Sequence, residues 1–263
     1  MTASAAAKAT LLRSLHIPGE PLILSNVWDA VTARIVAGAP GVKALATASH
    51  AVSFAHGVAD GEGLSVDQAV AAAGRIVAAT DLPVSVDFEK GYSPTAAGVQ
   101  ANVERLLATG AVGLNIEDSS GPAKAPQFEI ADAAARVAAA RAAGEAVGIP
   151  LVINARVDTL AGGGDWDEAV ARANAYLEAG ADCIFFLGLS TEELVAKAIS
   201  QVNGMISVIA HPGAVPLKTL AELGVSRVSF GPFMLGLTLA HLQAAATQLT
   251  ALGDYPVELG FQY

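Results

Sequence analysis

Asp87 and Glu89 stand two residues apart in VSVDFEKGYS, residues 84–93, where an apolar run gives way to polar residues. Side chains alternate along an extended chain, so both carboxylates point to one face. Glu117, at the end of the apolar run GLNIED (113–118), would bring a third negative charge. Carboxylates crowded in a partly desolvated pocket repel one another unless protons or a cation neutralise them. Oxygen ligands without a Cys/His cluster suit a hard ion, and Mg2+ takes one or two carboxylates while keeping several waters. Asp87, Glu89 and Glu117 are therefore the expected metal ligands, with Mg2+ the expected cofactor. The competing reading is simple ion pairing of Asp87 and Glu89 with Arg156 or Lys90. Asp118 points opposite to Glu117 along an extended chain, so one of the two belongs to the site and the other caps or pairs locally.

Arg156, in LVINARVD (151–158), supplies the opposite sign. Its planar fork suits a carboxylate, so the site as a whole fits a small anionic oxo or hydroxy acid. Other polar residues end apolar runs in the same way: Asn26, Trp28 and Asp29, then Ser49 and His50, then Asn154 and Asp158, and His211. His50 and His211 are candidate proton carriers, or else structural histidines. The segment HGVADGEG (56–63), with Asp60 and Glu62, either closes over the site or is a solvated turn. Cys183 opens an apolar run and reads as a small buried residue.

Positioning these groups requires strands. Eight short apolar runs recur, at 22–27, 44–49, 84–88, 113–118, 151–158, 183–188, 207–210 and 227–231. Segments of helical periodicity lie between them, among them SVDQAVAAAGRIVAAT, TAAGVQANVERLLATG, DWDEAVARANAYLEAG and TEELVAKAISQV. Alternating apolar strands and helices imply a covered parallel sheet, and eight units in 263 residues imply a closed (β/α)8 TIM barrel, one domain over 1–263, with a short N-terminal helix. An open doubly wound sheet is the alternative, although no Gly-x-Gly-x-x-Gly follows the first run. Barrel active sites lie at the C-terminal ends of the strands, where the polar residues above fall. Asp165 reads as a helix cap after the Gly162-Gly163-Gly164 loop.

The composition narrows the partners. Hydrophobic residues make up 53% and charged residues 15%, with a net charge of −10 and no run of Lys or Arg. Nucleic acid and anionic membrane surfaces would repel such a chain. A single cysteine forms no internal disulfide and no zinc-type spacing accompanies it, which fits a reducing cytoplasm. No signal-peptide core and no apolar run of membrane-spanning length is visible.

Taken in order, these segments resemble the isocitrate lyase and phosphoenolpyruvate mutase superfamily of Mg2+-dependent barrel enzymes, over nearly the whole chain. SNVWDAVTARI resembles its first-strand motif, TASHAVSFAHGVADGE its anion loop, and VDFEKGYS its D-x-D-x-G-Y-G signature; GAVGLNIEDS and INARVD resemble its later elements. The resemblance implies that Asp87 holds Mg2+ directly or through water, that Glu89 and Glu117 act through its waters, and that Asp60 stands near the reacting centre. It further implies that Ser49 and His50 offer backbone N–H groups to substrate, that Trp28, with Asp29 beside it, walls the pocket, and that Arg156 binds a carboxylate. Asp60, His50 and His211 are left to handle protons.

The departures concern function. Family lyases carry P-K-[KR]-C-G-H after the I-E-D element, with the cysteine as general acid or base; Ala125 stands here where that cysteine would be, and a methyl group transfers no proton. Glu89 replaces the second aspartate of D-x-D. The expected activity is a Mg2+-dependent lyase cleaving a small 2-oxo or 2-hydroxy carboxylate through an enolate, with 2-methylisocitrate a poor substrate. Phosphonopyruvate or phosphoenolpyruvate P–C chemistry is the enzymatic alternative, and a non-catalytic metabolite-binding barrel the other. The apolar stretch 233–253 is either the eighth barrel helix or, as the family commonly uses it, an element exchanged between subunits of a homo-oligomer, a dimer or tetramer.

Overall fold

The computed structural model describes residues 4–120, 126–257 and 260. Pro122, Ala123, Lys124 and Ala125 lie outside the described residues.

All eight expected apolar runs form strands, and all pair in parallel. They appear as nine segments because the first run breaks at Ser25, into β1 (Leu22–Leu24) and β2 (Asn26–Val27). The remainder are β3 (Leu45–Thr47), β4 (Val84–Asp87), β5 (Gly113–Glu117), β6 (Val152–Val157), β7 (Cys183–Phe186), β8 (Met205–Ile209) and β9 (Arg227–Ser229). The order is β1-β9-β8-β7-β6-β5-β4-β3-β2, so the two ends of the sheet are one residue apart in the chain and the ring closes through Ser25. Asn26 staples this seam: its Nδ2 donates to the Thr47 carbonyl at 2.8 Å and its Oδ1 accepts the Phe230 N–H at 2.8 Å. The expected (β/α)8 barrel is the fold, and the doubly wound alternative is not.

Among the described residues ten helices surround or plug the ring: α1 (Ala5–Ser14), α2 (Ala30–Ala37), α3 (Ser49–Ala55), α4 (Val66–Val77), α5 (Ala96–Leu107), α6 (Ile130–Ala146), α7 (Trp166–Glu178), α8 (Glu192–Gln201), α9 (Leu217–Glu222) and α10 (Phe233–Thr250). Side-chain caps start α4 at Ser65, α5 at Thr95, α7 at Asp165 and α8 at Thr191, each satisfying a first-turn N–H that would otherwise lack a partner. Among the described residues no helix is long and apolar enough to cross a membrane.

Strand residues alternate between two apolar layers. Leu45, Val86, Leu114, Ile153, Ile184 and Val228 face the helices. Leu22, Leu24, Ala46 and Val152 face inward and meet Ala9 and Leu12 of α1, so the N-terminal helix closes the barrel floor. Leu12 is fully buried, and a Cβ on Gly113 would stand 2.7 Å from its Cδ2. Glycine is required there by that close approach. We expect Leu12→Ala to destabilise the protein by about 2–5 kcal/mol, read from urea unfolding midpoints. Gly113→Ala is expected to cost about 1–3 kcal/mol through overpacking of the same contact.

Candidate active site

The carboxylates gather at the C-terminal ends of β4, β5 and β6. Asp87 ends β4, and its Oδ2 accepts the Ser49 backbone N–H at 2.9 Å, while its own N–H donates to Thr47 Oγ1 at 2.8 Å. Its Oδ1 is buried and accepts no hydrogen bond from the described residues. Glu117 ends β5 in register with Arg156 of β6, and Arg156 Nη1 lies 2.7 Å from Glu117 Oε2. The other edge of the same guanidinium meets Asp158, Nε to Oδ1 at 2.6 Å and Nη2 to Oδ2 at 2.9 Å. A guanidinium has five N–H donors; described residues engage three, and one on each Nη is taken by none of them.

Glu89, Asp87's neighbour in the expected ligand set, has both carboxylate oxygens engaged. One carboxylate oxygen accepts the Glu62 backbone N–H and the other accepts the Tyr92 hydroxyl at 2.7 Å. Asp87, Glu89 and Glu117 are thus brought to one end of the barrel but not gathered around one point, and among the described residues no three acidic, histidine or cysteine side chains form a ready ligand cluster. The remaining acceptor is Asp87 Oδ1, which suits an ion that takes few protein ligands and keeps its waters, as Mg2+ does. A cavity of about 20 Å³, large enough for one water, touches Ser49, Asp87, Glu89 and Tyr92.

One guanidinium does not neutralise this many acids. Burial pushes the Glu117 carboxyl up to about 8 in spite of Arg156, and Asp87, Asp158 and Glu89 add to the rise. Burial likewise pushes Glu89 up to about 7; the Tyr92 hydroxyl opposes this, and Asp87 and Asp60 reinforce it. Burial works against the Arg156 cation, but Glu117 and Asp158 outweigh it and hold the guanidinium charged more firmly than usual. Both glutamates therefore carry protons when folded that the unfolded chain, titrating near 4.5, would have released. Their contribution to stability is full below that value and is lost as pH rises through about 7 to 8. We expect the metal-free protein to lose on the order of a few kcal/mol of stability between about pH 5 and 9, and Mg2+ to restore part of it at the alkaline end, both read from urea unfolding.

The other expected residues divide. His50 and Asp60 face each other at 3.7 Å, both well exposed, at the start of α3 and in the following loop. Ser49 is present as expected, but its backbone N–H is given to Asp87. Trp28 is buried and belongs to one apolar cluster with Ala48, Val52, Leu64 and Leu235. Asp29 is exposed and caps α2, in a capping box with Thr32. The three-residue Asp–Thr spacing that allows this box was visible in the sequence. His211 stands apart: its ring meets the Pro212 carbonyl at 3.0 Å and lies 5.6 Å from the Phe233 ring, beside a groove shared with Pro216, Leu217 and Met234. Among the described residues no hydrogen bond or ion pair joins it to the carboxylates.

Asp118 is structural, accepting from the Asp158 N–H at 3.0 Å and the Tyr176 hydroxyl at 2.8 Å. Of the two neighbouring acids, Glu117 is the one that pairs with Arg156. Cys183 is fully buried, and burial pushes its thiol up to about 12. Two features went unforeseen. Asp158 shares the Arg156 fork, and the i, i+2 spacing on one strand face was its signal. Arg227 of β9 lies fully buried in the ring, with Nη2 3.0 Å from Asn115 Oδ1, and burial pulls it down to about 10. An arginine at an inward-facing strand position was the only clue to it.

The residues 12–250 match the family model described as phosphoenolpyruvate phosphomutase. An uncharacterised protein of Mycobacterium tuberculosis is 34% identical over 236 residues, covering 88% of this chain and 86% of its own length. The 2,3-dimethylmalate lyase of Eubacterium barkeri is 30% identical over 221 residues, 82% of this chain and 75% of the enzyme. The crystal structure of a candidate phosphonomutase from Burkholderia cenocepacia superposes with a TM-score of 0.88 at 37% identity, covering 93% of this chain and 99% of that one. A matching barrel, matching length and an acidic strand-end site paired with Arg156 agree: the chain belongs to the phosphoenolpyruvate phosphomutase family, within the PEP mutase/isocitrate lyase superfamily.

Proposed function

We propose that this chain is a Mg2+-dependent lyase that cleaves a carbon–carbon bond of a small 2-oxo or 2-hydroxy carboxylate, acting as a single barrel domain in a reducing cytoplasm. The observation that carries the reading is the pairing of Asp87 Oδ1, buried and without a partner among the described residues, with Arg156, which has two N–H groups that no described residue takes and that can receive a carboxylate. Asp87 would hold the ion directly and Glu117 through its waters. When bound, Mg2+ supplies a Lewis acid that draws charge onto a substrate oxygen. Arg156 orients the substrate by its carboxylate and keeps Glu117 and Asp158 fixed around it. Ser49 holds the Asp87 carboxylate in one rotamer through its N–H. As the bond breaks, its electron pair would move onto the adjoining carbonyl or carboxylate; Asp60, with His50 beside it, would take the hydroxyl proton of a 2-hydroxy acid and return a proton to the carbon left behind.

The test is release of pyruvate, glyoxylate or another 2-oxo acid from a panel of oxaloacetate, substituted malates, 2-methylisocitrate and phosphonopyruvate, with Mg2+ and with chelator. Release from a malate or oxaloacetate that stops on chelation supports the reading; 2-methylisocitrate is expected to be poor because Ala125 offers no proton. Conversion of phosphonopyruvate or phosphoenolpyruvate alone, seen by phosphorus NMR, would replace it with P–C chemistry.

Oligomerisation belongs to the same proposal. In α10 only Leu235 is buried, whereas Leu237 and Leu242 are 67% and 65% exposed and the helix borders the His211 groove. Such an apolar helix face is satisfied by the same face or groove of a second copy. We expect a dimer or tetramer by sedimentation, shifted to monomer by Leu237→Asp with Leu242→Asp; a wild-type monomer would refute this part.

A further inference from the structure

Three of the four non-glycine residues with left-handed backbone among the described residues bond to one another. These are Glu62 (φ 64°), Glu89 (φ 47°) and Tyr92 (φ 55°); the fourth, Leu252, is near the C-terminus. Such a conformation is costly for residues with a Cβ and persists where the surroundings impose it, most often at functional sites. The bonds form a closed set. Glu89 accepts the Glu62 N–H on one oxygen and the Tyr92 hydroxyl on the other. Glu62 in return accepts the Tyr92 N–H at 2.6 Å and pairs with Lys90 at 2.9 Å.

The two segments so joined are anchored unequally. The turn after β4 is fixed from below: Arg136 of α6 donates to the carbonyls of Lys90, Ser93 and Pro94 at 3.0, 2.8 and 3.1 Å, and Asn102 of α5 holds those of Gly91 and Tyr92. The loop after α3 is exposed from Phe54 to Asp60 and turns through left-handed glycines at Gly57 and Gly61. Its far end is tied down at Glu62, two residues beyond Asp60.

We propose that Glu89, Glu62 and Tyr92 form a clasp that fixes the Asp60 loop over the carboxylate site, with Glu89 a positioning residue for Asp60 and not a ligand of the ion. That Asp60 serves the reaction rests on the function proposed above; the clasp itself does not. Glutamate at this position is intelligible on this account, because the extra methylene carries its carboxylate out to the Glu62 amide, where an aspartate would fall short.

The test separates clasp from ligand by two readouts that need no substrate: hydrogen exchange of the loop amides in metal-free protein, and Mg2+ affinity by calorimetry. In Glu89→Ala and Glu89→Asp, the amides of residues 57–63 are expected to exchange at least about tenfold faster while strand amides of β5 and β6 keep their protection. Mg2+ affinity in both stays within about threefold of wild type, since a group that does not hold the ion contributes only through its charge. Glu89→Gln, which keeps one acceptor, should recover part of the loop protection. Asp87→Asn should give the reverse pattern, with Mg2+ binding lost and the loop unchanged. Should a Glu89 variant fail to fold, Tyr92→Phe removes one bond of the clasp alone and should accelerate the same amides. Mg2+ affinity falling in Glu89→Ala as far as in Asp87→Asn, with loop exchange unaltered, would overturn the proposal. If the loop behaves as described and the substrate panel is silent, the clasp stands and the proposed activity does not.

Discussion

Arg156→Lys is expected to lower kcat/KM by about a hundredfold to a thousandfold although the charge is retained. The guanidinium makes three contacts in one plane, one to Glu117 and two to Asp158, and still has an N–H on each Nη for substrate. A lysine ammonium is a point donor on a flexible stem and cannot hold both acids while offering a planar edge. Asp158 would lose its bidentate partner and retain Ser119 Oγ and the geometry of its own backbone. Arg156→Ala goes further, leaving Glu117 and Asp158 buried without their cation, a loss of about 3–5 kcal/mol in stability by the general behaviour of broken buried pairs. Comparing urea midpoints of the two variants separates the folding effect from the catalytic one. A lysine variant with near wild-type kcat/KM would show that the fork does not grip substrate.

Asp87→Asn is expected to remove Mg2+ binding and with it more than about a thousandfold of activity, because a neutral amide is a poor ligand for a hard divalent ion. The same substitution should make the metal-free protein more stable at pH 8. Asp87 is one of the charges pushing Glu117 and Glu89 upward, so removing it relieves repulsion in the folded state. Asparagine keeps an oxygen for the Ser49 N–H, so the strand end need not rearrange. Activity and stability therefore move in opposite directions, as happens where a site holds like charges together for function. Thermal melts at pH 8 with and without Mg2+ check both halves.

Much of the fold was legible because its signals are local. The apolar runs that became strands are contiguous in sequence, and Ser65, Thr95, Asp165 and Thr191 each precede an apolar-periodic helix that they cap. Helices α3 and α9, of seven and six residues, are too short to show a period, and the alanine-rich α6 offers little contrast between its faces. The break at Ser25 follows from ring closure, a property of the whole sheet that no short window contains.

For the site, strand alternation correctly brought Asp87, Glu117 and Arg156 to one end of the barrel. It did not reveal that Glu89 accepts from the Glu62 amide and the Tyr92 hydroxyl, because that depends on left-handed backbone at three non-glycine residues and on a loop 27 residues upstream. Position at a strand end did not tell which neighbours His211 would have: the ring meets the Pro212 carbonyl and lies beside Phe233, contacts that depend on the following loop and helix. Asp29 shows the related hazard: a polar residue after a strand is as readily a helix cap as a ligand group.

Oxalate offers the most direct measurement, because its two coplanar carboxylates reproduce the charge and shape of the enolate that cleavage next to a 2-oxo acid produces, whatever the true substrate. Calorimetric titration with oxalate should show tight binding with Mg2+, none after chelation, none in Asp87→Asn, and a loss of at least about tenfold in Arg156→Lys. Oxalate binding that is equal with and without Mg2+, or that survives Asp87→Asn unchanged, would contradict the assignment of a Mg2+-dependent carboxylate lyase to this end of the barrel.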